Sequence, residues 1–93
     1  MNTDLLIIYI RNSRDIYELT EWLQNALIKK VKRGLTPSVE YLANCSTMKK
    51  IVRLAANMVA SEEQKTVTKQ EKEQAAKEHA EYIIGCVEYL SKF

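Results

Sequence analysis

GLTPSVEYLANCSTMKKIVR, residues 34–53, separates two long helical patterns and holds the strongest punctuation in the chain. Gly34 is the natural left-handed terminator of a preceding helix, because glycine takes positive φ without steric cost. Thr36 before Pro37 reads as a helix start: Thr caps an orphan amide, and Pro fits the first helical position, where no amide donor is needed. Val39, Leu42 and Ala43 then form the inner face of a short helix, and Asn44, Cys45 and Ser46 read as a turn. A second helix follows, capped by Ser46 or Thr47. In it Met48, Ile51, Val52, Ala55 and Val59 keep helical spacing on one side, while Lys49, Arg53 and Asn57, spaced by four, share a polar face flanked by Lys50.

Upstream, Thr3 is placed to cap a helix opening at Asp4, whose carboxylate suits the positive end of the helix dipole. Tyr9, Ile16, Leu19, Leu23 and Ala26 recur at helical intervals, which predicts one long helix to Arg33, bent near Asn12 and Ser13. A rival reading makes Leu5–Ile10 a strand, since Ile7, Ile8 and Ile10 are β-branched, with Ser13 capping a helix from Arg14. The helix is favoured because no second strand exists to pair with the first. Tyr17 and Trp22 lie off the stripe, and Leu6, Ile7 and Ile10 widen it, so these side chains call for further cover.

Downstream, residues 61–68 lack an apolar period and read as a polar linker, ending at Thr68 as the cap of a last helix. Ala76, Ala80, Ile83, Val87 and Leu90 give that helix its inner stripe, and Tyr82, Cys86, Tyr89 and Phe93 a second, adjacent one. The reading is all-α and a single domain over residues 1–93: a small bundle of two long antiparallel helices with two short helices between them. Ninety-three residues with only two glycines and one proline suit it.

Catalysis finds little material. The chain has one histidine, His79, two aspartates and no nucleophile placed beside a base, and His79 reads as a boundary residue between Ala76 and Ala80. Cys45, Cys86 and His79 are too few and too irregularly spaced for a structural zinc, so no metal and no cofactor is expected. Glycine-rich phosphate loops are absent from the sequence. The Leu5–Ile10 run falls far short of the ~20 residues that span a bilayer, so no membrane is expected. Two cysteines without a signal-like start predict free thiols in the cytoplasm.

Charge is the feature above background. The formal net charge is +2, yet residues 28–60 carry seven cations against Glu40 alone. Lys29, Lys30, Lys32 and Arg33 crowd a helix end, where the dipole favours cations, and Lys49, Lys50 and Arg53 follow a helix start with the hydroxyls of Ser46 and Thr47. The expected function is therefore non-enzymatic capture of a phosphate-bearing partner, nucleic acid or nucleotide, by Lys29, Lys30, Arg33, Ser46, Thr47, Lys49, Lys50 and Arg53. The alternative is a protein-binding adaptor or inhibitor, acting through Leu6, Ile7, Ile10, Tyr82, Tyr89 and Phe93; the same apolar excess predicts a homo-oligomer. In brevity, Lys and Glu richness and absence of catalytic residues the chain resembles the small accessory proteins of bacteriophages and mobile elements. No motif carries that resemblance.

Overall fold

Ser13 divides the N-terminal helical stretch in two. In the computed structural model, which describes residues 2–93, α1 spans Asn2–Asn12 and α2 Arg14–Lys32. Ser13 between them is extended, at φ −86° and ψ 127°, and its hydroxyl accepts from the Ile16 amide at 3.5 Å. The Asn12 side chain donates back to the Ile8 carbonyl, so side chains take over at the point where the helix is interrupted. The strand reading of Leu5–Ile10 does not hold, and its proposed cap at Ser13 does. Thr3 is buried inside α1 and does not precede it.

The end of α2 follows the sequence closely. Gly34 has φ +84°, its amide donates to the Val31 carbonyl, and the Leu35 amide reaches back to the Lys30 carbonyl, the paired closure of a Schellman motif. Caps further on fall elsewhere than expected. Ser38, not Thr36, opens α3 (Val39–Ala43), accepting from the Tyr41 amide at 3.1 Å, so Pro37 lies just outside that helix. Cys45, rather than Ser46 or Thr47, caps α4 (Ser46–Glu62) through a 3.4 Å contact from the Met48 amide to its sulfur. At 17 residues α4 is no short helix, because its apolar spacing runs unbroken through Val59 and carries the next turn with it. The linker shrinks accordingly to residues 63–68.

Thr68 caps α5 (Lys69–Leu90) as expected and forms a full capping box. Its hydroxyl accepts from the Glu71 amide while the Glu71 carboxylate accepts from the Thr68 amide. These bonds hold the Glu71 carboxyl below its ordinary range, the Thr68 amide contributing most. Asn2 ties α1 to the same corner, donating to the Thr66 carbonyl at 2.8 Å and to Glu71 at 3.3 Å.

The product is a small all-α bundle. Pairings along α5 set its directions: Asn2 sits at Glu71 and Arg11 over the Tyr82 ring, so α1 runs alongside α5, whereas Thr20 meets His79 after Tyr17 has passed Tyr82, so α2 runs back. The N-terminal segment thus supplies two helices of opposite direction in place of one long antiparallel partner. Leu6, Ile10, Ile16, Leu23 and Leu27 from these two meet Leu42 from α3, Met48, Ile51, Ala55 and Val59 from α4, and Ala75, Ala80, Ile83 and Val87 from α5. Among the described residues no helix is long and apolar enough to cross a membrane.

Three assignments are corrected by burial. Leu6 and Ile10, expected on an interface, are buried within the single chain, since the turn at Ser13 folds α1 onto α4 and α5. His79, expected at a boundary, is 1% exposed. Leu90, expected inside, is exposed, as are Tyr17 and Trp22.

Candidate phosphate-binding groove

The buried stripe of α4 (Met48, Ile51, Val52, Ala55) fixes Lys49 and Arg53 on its outward flank, one turn apart. The buried stripe of α5 (Ala75, Ala76, His79, Ala80) does the same for Lys69, Lys72 and Lys77. The two flanks face a common groove of about 700 Å³, bordered at one side by Glu40 of α3 and by Asn44, which caps that helix. Ala43, Val52 and Ala76 line its floor, and the two alanines leave open the space that larger side chains would fill.

Five cations and two carboxylates, Glu40 and Glu73, line this groove, a local excess of +3. The α5 cations, from Lys69 to Lys77, are eight steps apart, about 12 Å at the helical rise of ~1.5 Å per residue. Concave walls of low dielectric concentrate the field of such a set, so the groove attracts anions more strongly than the same charges on a convex face. Lys72 also borders a shallower concavity of about 490 Å³ that contains Asn57 and Lys65.

The residues expected to bind phosphate are thereby divided. Lys49 and Arg53 stand in the groove. Lys50, Ser46 and Thr47 share their helix but are not among its lining residues, and neither are Lys29, Lys30 and Arg33 at the end of α2. There the cations stand beside the last carbonyls of α2, where the dipole accounts for them. Sequence reading missed Lys69, Lys72 and Lys77. Their signal was a spacing of three and then five on the flank of a helical stripe, masked by the acidic residues around them.

A second polar cluster lies where α1, α2 and α5 meet. His79 places Nε2 3.2 Å from the Thr20 hydroxyl, while Nδ1 is buried without a partner among the described residues. Burial first, and the nearby Arg11 charge second, lower the imidazole pKa to about 4. Arg11 itself lies over the Tyr82 ring at 4.6 Å, and that ring stacks on His79 at 6.0 Å. This is a core histidine bonded at one ring nitrogen. In the same last turn of α1, Tyr9 donates to the Glu63 carboxylate at 2.9 Å, and the Glu62 and Glu63 carboxylates raise its pKa.

Cys45 and Cys86 are both free and half-buried. Among the described residues, no group of three or more His, Cys, Asp or Glu side chains is placed to hold a metal ion. Of the expected interface, Tyr82, Tyr89 and Phe93 are exposed, with Tyr89 and Phe93 packed edge to face at 5.4 Å. Comparison with known proteins finds no matching family model, no matching curated protein and no matching solved structure.

Proposed function

We propose that this chain is a non-enzymatic binding protein that captures a phosphate-bearing partner, nucleotide or nucleic acid, in the groove between α4 and α5. The observation that supports it is the convergence of Lys49, Arg53, Lys69, Lys72 and Lys77, from two helices distant in sequence, on one concavity with an apolar floor. Lysine ammonium groups and an arginine fork supply the donors that phosphate oxygens need. Two free cysteines suit action in the reducing cytoplasm.

Fluorescence anisotropy with a labelled oligonucleotide and a labelled nucleotide tests the proposal. Binding at 50 mM salt should weaken steeply by 200 mM, as counterion release requires. Reversing Lys49 and Arg53 to Glu should abolish it while leaving the circular dichroism helical, since both side chains are exposed. No binding of either ligand at low salt would refute the proposal.

A second reading, a protein-binding adaptor that also self-associates, draws on a different observation. Trp22 is 63% exposed and Phe93 83%, with Tyr17 and Tyr89 also largely in solvent. Large aromatics are favoured in interface cores. Light scattering at tens of micromolar checks it: a dimer that Trp22→Ser or Phe93→Ser dissociates would support this surface, and a monomer would remove self-association.

A further inference from the structure

The acceptors in the groove narrow the ligand class. Glu40 and Glu73 face a space that the cations make attractive to anions, and a bare phosphate chain, which carries only acceptors, gains nothing from them. Asn44 adds a third acceptor, because its Nδ2 already donates to the Glu40 carbonyl at 2.8 Å and its Oδ1 remains. Groups that satisfy these three are hydroxyl or amino donors attached to the phosphate chain, as in a ribose or the amino edge of a base.

Size and lining separate the remaining candidates. A volume of about 700 Å³ lies within the ~300–1,000 Å³ range of small-molecule sites. Single-strand grooves hold successive bases on aromatic side chains, and among the described residues no aromatic one lines this groove. A duplex is wider than a cleft set between two adjacent helices.

We infer that the groove takes a nucleoside di- or triphosphate, its phosphate chain among the lysines and Arg53 and its sugar or base donors on Glu40, Asn44 and Glu73. This rests on the phosphate-binding reading and makes it narrower. Isothermal titration of the intact chain at low salt, without divalent cations, compares four probes: ATP, GTP, inorganic tripolyphosphate and a twelve-nucleotide oligo-dT. At least one of the two nucleotides should bind about tenfold more tightly than tripolyphosphate, the advantage conferred by hydrogen bonds to charged acceptors. Changing Glu40 and Glu73 together to Ala should bring that ratio close to one, with tripolyphosphate binding more tightly than before because two repulsive charges are gone. Both side chains are exposed, so folding is not at stake. Tripolyphosphate equal to or tighter than both nucleotides in the unaltered chain overturns the inference and leaves the phosphate reading standing. An oligonucleotide preferred tenfold over both nucleotides does the same. Failure of all four probes removes the inference and the phosphate reading together.

Discussion

Lowering the pH from 7 toward 5 should destabilise this protein through His79. The imidazole is buried against Thr20, with Nδ1 unpartnered, and its pKa falls from 6.5 to about 4. Between those values the unfolded chain takes up a proton that the folded chain refuses, so stability is complete above about pH 6.5 and declines as the pH falls toward 4. Each unit of difference is worth about 1.4 kcal/mol. Between pH 7 and pH 5 the loss works out at about 2 kcal/mol, a large fraction of the stability of a small domain. The groups facing His79 are Arg11 from α1, Thr20 from α2 and Tyr82 from α5. Glu71, whose pKa is lowered from 4.5, contributes stability that is lost only below that value. Urea unfolding at several pH values between 5 and 7, for the unaltered chain and for His79→Gln, isolates the effect. The variant should show a nearly flat profile, whatever its absolute stability. Parallel profiles for the two proteins would refute the reasoning.

Packing and capping give further expectations. Ile83→Ala and Leu23→Ala should each cost about 2 to 5 kcal/mol by denaturant unfolding, because both side chains are buried and each substitution leaves a cavity. Thr68→Ala should cost about 1 kcal/mol through loss of the capping box, whereas Thr36→Ala, outside any cap, should be close to neutral; a Thr36 effect as large as that of Thr68 would contradict the assigned helix starts. Gly34→Ala should destabilise despite open space around it, since φ +84° strains any residue with a Cβ, and an unchanged midpoint would place the end of α2 elsewhere.

Much of the bundle was legible because long apolar periods leave few choices. The stripes Met48–Val59 in α4 and Ala76–Val87 in α5 stand inside as their spacing requires. Boundaries were less legible where several capping residues compete within a few positions. Thr36, Ser38, Cys45, Ser46 and Thr47 can all accept from an amide, and backbone geometry, absent from the sequence, selected Ser38 and Cys45. The burial of Thr20 and His79, the latter read as a boundary residue, was hidden for a related reason: each looks polar alone, and only their pairing across α2 and α5 makes burial tolerable. The candidate groove was half legible. Lys49 and Arg53 stood out in a basic segment, but Lys69, Lys72 and Lys77 lie in an acidic one and join them only through the packing of α5 against α4.

Mapping the amide resonances of the labelled protein during separate titrations with ATP and with GTP at low salt tests the central claim most directly. The account predicts the largest shifts at Lys49, Arg53, Lys69, Lys72 and Lys77, with the end of α2 at Lys29, Lys30 and Arg33 little affected. Shifts centred on the end of α2, or none at any residue, would contradict it.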